Sequence, residues 1–301
     1  MILSRFGVKK NLNNLKLVIV TPVKNEAERI AKLSSNLSRL ETKFPFLWIV
    51  VNDSSSDNIL EVLANDLTFK PDFVLDANTS GRIALGGAYQ AWQVGVKFSI
   101  KEIPDFTHLM KLDADVELEP NYLSLLENSM SDKSVGIVGG VLSNDHREQV
   151  IHVPGPVKMY SKHCLLDLAD LPLATGYDVM DEVLATKLGY GIRVIPGALF
   201  KINRPIGASQ GLLHGRRRNG MVCRWTGYYG PYFLLHLLRF SIRKPFVFGS
   251  IAMLIGYASA PKSPYSTELQ SLHRSHQKSL ILGLLRNPVA KLRYLYSRPG
   301  K

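Results

Sequence analysis

The sequence predicts an α/β fold with a mostly parallel central sheet, followed by a basic, helical C-terminal extension. Over the first two hundred residues, short β-rich runs alternate with helical patterns, which is typical of strands joined by helical crossovers. The runs are apolar along both faces, as in parallel strands covered by helices on both sides. With 301 residues, 46% of them hydrophobic, the chain is long enough to bury a substantial core.

Four strands are predicted from apolar runs that are rich in β-branched residues or leucine. They are "LKLVIVT" near residues 15–21, "LWIVVND" at 47–53, "DFVLDA" at 72–77 and "HLMKLDAD" at 108–115. Polar clusters follow three of these runs: "TPVKNE", "NDSSSD" and "DAD". Because ligands of open α/β sheets bind beyond the carboxyl ends of the strands, we expect the three clusters to meet in one crevice.

Three helices are predicted between and after these strands. The first runs from Glu26 to about Leu40, and its apolar residues recur on one helical face. Those residues are Ile30, Leu33, Leu37 and Leu40. A second helix is predicted around residues 57–67. A third begins near Leu85, where Gly86 and Gly87 would allow close approach of the backbone.

Charge divides the chain into two parts. Residues 1–200 hold 20 Lys and Arg against 24 Asp and Glu, whereas residues 201–301 hold 17 Lys and Arg against a single acid, Glu268. Such asymmetry indicates an anionic partner for the last third: phosphates, nucleic acid or lipid headgroups. We predict two regions, an α/β domain over residues 1–230 and a basic amphipathic helical region over residues 231–301.

The segment 231–261 predicts contact with a membrane surface. Its uncharged run from Phe246 to Ala260 is shorter than the ~20 residues that a spanning helix needs. Arg239, Arg243 and Lys244 interrupt the longer apolar stretch, which favours an interfacial segment flanked by cations. A buried helical pair that closes the core is the alternative.

The two cysteines and the N-terminus favour a reducing, cytoplasmic location. Cys164 and Cys223 lie far apart and lack the spacing of metal ligands or of a disulfide framework. The first apolar run of the chain reads as a core strand, and no small-residue cleavage site follows it.

The carboxylates of Asp113 and Asp115 predict a metal site for phosphate chemistry. Two carboxylates one residue apart at the end of a strand suit Mg²⁺ or Mn²⁺, which would also bind oxygens of a diphosphate. No G-x-x-x-x-G-K-[ST] motif is present, and no G-x-G-x-x-G follows the first strand. A P-loop ATPase and a Rossmann dehydrogenase are therefore not expected.

Four motifs together resemble family 2 of the inverting glycosyltransferases, which has the GT-A fold. They are "LVIVTPVKNE", "IVVNDSSSD", "LMKLDADVELEPNYL" and "TGYDVMDEVLATKLGYGIRVIP", within residues 15–230. The resemblance implies that Pro22, Asn25, Glu26 and Asp53 hold the base and ribose of a nucleotide sugar. The family's DxD motif falls on residues 113–115, so that Asp115 would bind the metal and Asp113 the ribose or the metal.

The same resemblance implies a catalytic base. Asp181 in "YDVMDEVL" matches the family's catalytic carboxylate, with Glu182 and Asp178 as competing candidates. Many relatives have a histidine after the next strand. This chain offers Asn203 there, and His214 lies nearby.

Cations of the last third are candidates for binding diphosphate or acceptor. The "GRRRNG" run supplies three guanidiniums that could bind a phosphate group, those of Arg216, Arg217 and Arg218. A basic surface loop is the alternative reading. The sequence "MVCRW" departs from the QxxRW motif of processive synthases, because Met221 replaces the glutamine. Arg224 and Trp225 remain candidates for lining the acceptor site, and a single addition is expected.

These observations predict an enzyme that transfers one sugar from a nucleotide-sugar donor to a lipid-linked or polysaccharide acceptor. It would work with Mg²⁺ or Mn²⁺ at the cytoplasmic face of an anionic membrane, without nucleic acid. A polyprenyl-phosphate sugar transferase is the nearest alternative, since "LGGAYQAWQVG" faintly resembles that branch. A nucleic-acid-binding protein would explain the basic last third but not the carboxylate clusters, and a nucleotide-sugar sensor without turnover is a further alternative.

Overall fold

The computed structural model describes residues 2–5, 16–65, 67–77, 79, 87–143, 152–203, 211–242 and 244–286. They cluster into two compact units. The described residues of the sheet unit lie within Met1–Ser143, Val150–Leu173 and Ala185–Asn203. Those of the helical unit lie within Ala174–Leu184 and Arg204–Lys301. The boundary predicted at residue 230 stays a prediction.

The described residues of the sheet unit form a nine-stranded sheet in the order β1-β4-β3-β2-β5-β8-β7-β9-β6. The strands are β1 (Ile2–Arg5), β2 (Leu17–Val23), β3 (Phe46–Asn52), β4 (Phe73–Asp76), β5 (His108–Leu112), β6 (Val116–Leu118), β7 (Val135–Leu142), β8 (Val157–Ser161) and β9 (Gly191–Ile202). Strands β4, β3, β2 and β5 run parallel, whereas β8 is antiparallel to both β5 and β7. The predicted α/β class is confirmed.

Ten helices lie in the described residues, and the first three correspond to the three predicted helices, with bounds that differ by a few residues. The ten are α1 (Ala27–Leu37), α2 (Ile59–Asn65), α3 (Gly87–Glu102), α4 (Tyr122–Met130), α5 (Lys162–Asp167), α6 (Tyr177–Lys187), α7 (Leu212–Trp225), α8 (Gly230–Ser241), α9 (Val247–Ala258) and α10 (Thr267–Arg286). Leu85 and Gly86, predicted at the start of the third helix, lie outside the described residues.

One predicted strand is too long. The run at 108–115 forms a strand only as far as Leu112, because Asp113 to Asp115 make a turn before β6. The backbone N–H of Val116 donates to the carbonyl oxygen of Asp113 at 3.2 Å and closes this turn. The two carboxylates therefore project from a turn rather than from a strand.

Buried apolar side chains explain the parallel half of the sheet. Every residue of β3 and β5 is buried, and β2 is buried except at Pro22. Because both faces of these strands are covered, their sequences are apolar without alternation. The carboxyl ends of β2, β3 and β4 consequently lie at one edge of the sheet.

The helical unit is built around a close crossing of α7 and α9. A Cβ atom added at Gly220 would overlap the carbonyl oxygen of Met253, and one added at Gly256 would overlap that of Arg217. Helix α8 packs on α9 through the stacked rings of Phe233 and Tyr257, with centroids 4.3 Å apart. Glycine at the crossing therefore lets two backbones touch. No described helix combines the length and the apolar character needed to cross a bilayer.

Candidate functional site

The loops that follow β2 and β3 are held together by side-chain to backbone hydrogen bonds. The N–H of Asn25 donates to Ser55 Oγ at 3.0 Å, and Asn25 Oδ1 accepts from the N–H of Ser56 at 2.7 Å. Asp57 Oδ2 accepts from the N–H of Ala27, at 2.9 Å, in the first turn of α1. The predicted donor residue Asn25 thus joins two of the three polar clusters.

Both loops contain a non-glycine residue in the left-handed region. Asn25 has φ of +55° and Ser54 has φ of +53°. Such conformations cost about 1–3 kcal/mol each and persist where surrounding contacts fix them, often at ligand sites. Here the bonds between the two loops supply those contacts.

Asp53 connects the same loops to the segment after β4. Its N–H donates to the carbonyl oxygen of Val23 at 2.9 Å, and its carboxylate accepts from both the N–H and the hydroxyl of Thr79. Lys24 Nζ lies 4.0 Å from the same carboxylate. Asp53 is only 5% exposed. Three strand ends therefore meet around this residue.

Glu26 forms a hydrogen-bonded ion pair with a neighbouring arginine. Arg29 Nη1 donates to Glu26 Oε2 at 2.6 Å, and this hydrogen bond together with the glutamate charge raises the pKa of Arg29. The negative charge of Asp115 raises the pKa of Arg29 further. Pro22, at the end of β2, is partly exposed and lies opposite Val51 of β3. Donor binding by Pro22 and Glu26 stays a prediction.

The turn that carries Asp113 and Asp115 is fixed by its backbone. The N–H of Asp113 donates to the carbonyl oxygen of Pro156 at 2.9 Å, and the carbonyl oxygen of Asp115 accepts from the N–H of Asn203 at 2.9 Å. Asn203 therefore lies beside Asp115, at the position where relatives were expected to have a histidine. Asp115 is buried, and Asp113 is partly exposed.

Sequence reasoning missed Lys111, the residue two positions before this turn. Its ammonium forms an ion pair with the Asp113 carboxylate and donates to the carbonyl oxygen of Gly155 at 3.2 Å. A lysine in the middle of a wholly buried strand was the available signal, because a buried ammonium needs partners.

The carboxylates fit a divalent ion that is shared with a substrate. Among the described residues, no three His, Cys, Asp or Glu side chains are grouped as metal ligands. Mg²⁺ and Mn²⁺ commonly bind through one or two carboxylates, with the remaining positions filled by water and substrate phosphates. Asp115 and Asp113 fit a site that a substrate completes better than a site made of protein ligands alone.

His214, the histidine considered for the metal, is exposed on α7 of the helical unit.

The candidate bases lie in the first two turns of α6, within the helical unit. Asp181 is completely buried, and its Oδ1 accepts from the N–H of Glu182 at 2.6 Å. Asp178 and Glu182 are partly exposed. Burial raises the pKa of Tyr265, and the charges of Asp178 and Asp181 add to this effect. The Tyr265 hydroxyl donates to the carbonyl oxygen of Ala174 at 3.0 Å, just before α6.

Two of the four predicted arginines have side-chain contacts inside the helical unit. The Arg216 guanidinium lies 3.9 Å from the centroid of the Phe240 ring and donates to the carbonyl oxygen of Lys244 at 3.3 Å. Arg224 lies over the ring of Tyr257. The remaining two predicted arginines are exposed or partly exposed on α7, Arg217 and Arg218.

Trp225 belongs to the interior of the helical unit. It is 2% exposed, and its indole N–H donates to the carbonyl oxygen of Pro261 at 3.0 Å. These contacts are those of a packing residue. Acceptor or phosphate binding by Trp225 and the four arginines stays a prediction.

Comparison with known proteins identifies the family. Residues 18–160, which include the strand ends and both aspartates of the turn, match the model of Glycosyl transferase family 2. The segment is a family 2 glycosyltransferase domain. The predicted family and the predicted enzyme class, glycosyltransferase, are thereby confirmed. No curated protein matches the full sequence at a significant level.

Solved structures of glycosyltransferases share the fold. A mannosyltransferase from Pyrobaculum calidifontis, in complex with GDP-Man and Mn²⁺, superposes with a TM-score of 0.54 at 18% identity. The match covers 97% of this glycosyltransferase and 88% of that chain. Residues 1–349 of TarS from S. aureus superpose with a TM-score of 0.50 at 17% identity, over 93% and 89% of the two chains. At these identities the likeness shows the fold, which is the predicted GT-A fold.

Proposed function

We propose that this glycosyltransferase moves one sugar, with inversion, from a nucleoside diphosphate to a hydroxyl of a lipid-linked or polysaccharide acceptor. The observation that carries the proposal is the edge of the sheet unit where the loops after β2, β3 and β4 are bonded to one another through Asn25 and Asp53. Loops held in place before ligand binding suit a nucleotide, because little ordering remains to be done. The solved mannosyltransferase, which has this fold, binds a nucleotide sugar with Mn²⁺.

In this proposal the donor lies on the sheet unit. Asn25, Asp53 and Asp113 hold the base and ribose through hydrogen bonds, while Asp115 holds Mg²⁺ or Mn²⁺. When bound, the ion stabilises the charge that develops on the leaving diphosphate. Arginines 216–218 and Arg224 are the candidate cations for the same charge or for an acceptor phosphate.

A carboxylate of α6 acts as the base. A sugar hydroxyl attacks poorly unless a positioned carboxylate removes its proton as the new bond forms, a contribution of about 10²–10⁴ in rate. We assign this role to Asp181, with Asp178 and Glu182 as the alternatives, since both are partly exposed. One base suffices, because a single in-line displacement inverts the anomeric centre.

The finer part of the proposal is contact with an anionic membrane at its cytoplasmic face. Helix α8 exposes Leu234 and Leu238, which are four residues apart and so share one face, and Ile242, directly after the helix, is exposed too. Helix α9 contains no charged residue, and its outer side chains are exposed. They are Val247, Phe248, Ile251, Leu254 and Ile255. Apolar faces within a basic region favour a lipid surface over nucleic acid.

Calorimetric titration tests donor binding. We expect GDP or UDP, or the corresponding nucleotide sugar, to bind in the presence of Mn²⁺, and Asp115→Asn to weaken this binding about a hundredfold. Asp132→Asn is the matched control, because Asp132 is a carboxylate of the same unit that is paired with Arg193. If neither nucleotide binds under any condition, the proposed function is wrong.

Transfer assays test the base and the acceptor. Asp181→Asn should abolish transfer and leave nucleotide binding intact, whereas full activity in this variant would assign the base to Asp178 or Glu182. The acceptor panel contains a polyprenyl diphosphate sugar, a polysaccharide and a bare polyprenyl phosphate. Transfer to the bare phosphate alone would favour the polyprenyl-phosphate transferase.

A further inference from the structure

Lys111 is a buried cation in the centre of the sheet. It is 2% exposed and lies in β5, between Val20 of β2 and Lys158 of β8 in the strand register. Lys158 is directly opposite and 1% exposed. Residues directly opposite in an antiparallel pair point to the same face, so two buried cations are neighbours here. Such an arrangement is costly and persists only where polar partners compensate it.

Among the described residues, the Lys111 ammonium has two hydrogen-bond acceptors and one aromatic ring near it. It forms an ion pair with the Asp113 carboxylate, donates to the carbonyl oxygen of Gly155 at 3.2 Å and lies 5.2 Å from the centroid of the Tyr89 ring. An ammonium over an aromatic face is attracted by the ring electrons. The lysine is therefore held on several sides and points at one oxygen of Asp113.

The partners of Lys111 are also connected to each other. Asp113 donates its N–H to the carbonyl oxygen of Pro156, the residue after Gly155. The backbone of Asp113 is thus bonded directly to Pro156, and its side chain is connected to Gly155 through Lys111. This closed arrangement fixes the direction of the Asp113 carboxylate relative to the turn.

We propose that Lys111 is a positioning residue of the donor site, which orients the Asp113 carboxylate toward the nucleotide. The inference rests on the proposed function, since Asp113 has a ligand only if a nucleotide binds there. The ion pair with Lys111 fixes the direction of the Asp113 carboxylate, so that its second oxygen can accept a hydrogen bond from a nucleotide. The paired charge of Asp113 also leaves Asp115 as the carboxylate that meets the divalent ion.

The test replaces Lys111 and measures nucleotide binding rather than turnover. Titration of Lys111→Met with GDP and UDP, with and without Mn²⁺, should give binding at least about tenfold weaker than wild type under both conditions. Lys162→Met is the matched control. Lys162 also donates to a backbone carbonyl, that of Pro104, and lies 5.1 Å from the centroid of the Phe106 ring, without a carboxylate partner in either contact. Binding by the control should equal that of wild type.

A double-mutant cycle separates positioning from general damage. If Lys111 acts through Asp113, then Lys111→Met should weaken binding no further when Asp113 is already replaced in Asp113→Asn. Additive losses, or wild-type binding by Lys111→Met, would overturn the inference while the proposed function stands. Failure of the wild type to bind either nucleotide would instead defeat the proposed function. If Lys111→Met does not fold, Lys111→Gln, which keeps a donor without the charge, takes its place in the same cycle.

Discussion

Two exposed apolar side chains, one directly after α8 and one in α9, make membrane contact measurable. Ile242 is 70% exposed and Phe248 is 71% exposed. Complete burial of such a side chain contributes about 1.5–3 kcal/mol, so each retains roughly 1–2 kcal/mol that a bilayer could supply. Replacing both in Ile242→Ser/Phe248→Ser should weaken partitioning by roughly 2–4 kcal/mol, which is about 30- to 1,000-fold.

Sedimentation with lipid vesicles is the appropriate assay. We expect the wild type to sediment with vesicles of phosphatidylcholine and phosphatidylglycerol, and the double variant to remain largely in the supernatant. The matched control is Leu60→Ser/Leu188→Ser, because these leucines of the sheet unit are 48% and 47% exposed. Salt should weaken the attraction of the basic residues for the anionic lipid but leave the apolar contribution in place.

Equal sedimentation of the wild type and the double variant would refute the membrane assignment for these two helices. Because both side chains are already exposed, their replacement should change the free energy of unfolding little. A melting temperature close to that of wild type would therefore show that lost binding is not lost folding.

Two further predictions concern stability. Gly256→Ala should destabilise the chain by about 3 kcal/mol in chemical denaturation, because its Cβ would overlap the carbonyl oxygen of Arg217. The control Gly230→Ala, whose Cβ would meet no atom of another described segment within 4 Å, should leave the stability unchanged. Equal stabilities of the two variants would contradict the close crossing. Burial, aided by the charge of Lys16, lowers the pKa of His108 from 6.5 to about 4, so His108 is neutral in the folded state near pH 5, where its unfolded form is protonated. The free energy of unfolding should therefore fall by up to about 3 kcal/mol as the pH drops from 6.5 toward 4. This part of the loss should be absent in His108→Gln. Parallel pH profiles of the two proteins would contradict this role of His108.

The parallel half of the sheet was predictable because burial on both faces leaves a simple pattern. Strands β2, β3 and β4 begin and end within two residues of the predicted runs. The predicted strand at 108–115 was the exception, since carboxylates at its end gave no sign that a turn, Asp113 to Asp115, follows Leu112.

Strands β7, β8 and β9 were missed for a physical reason. Strand β7 contains glycines, which weaken a strand prediction, yet a Cβ atom at Gly140 would overlap the carbonyl oxygen of Ala198 in β9. The glycine is required by a partner that lies far away in sequence. Strand β8 is short and contains the buried Lys158, which a hydrophobic pattern does not predict.

The residue types of the candidate site were largely predictable from the sequence, but the partners of these residues were not. Carboxylates at strand ends indicated where the candidate site lies, as Asp53 and Asp115 illustrate. Their partners come from distant segments: Thr79 bonds to Asp53, and Arg29 influences Asp115. Sequence spacing gives no information on such pairs. The position of Lys111 inside a strand indicates that it needs a polar partner only once the strand is known to be buried.

Charge balance in the sheet unit indicates how donor and metal bind. Asp113 is paired with Lys111, and the negative charge of Asp115 is one of the causes that raise the pKa of Arg29. A turn with two carboxylates thus has much of its negative charge offset before any ligand arrives, and a divalent ion alone gains little there. In the proposed site, a diphosphate would supply both the missing charge and the missing oxygen ligands. On this reasoning Mn²⁺ and the nucleotide each strengthen binding of the other, because neither completes the site alone.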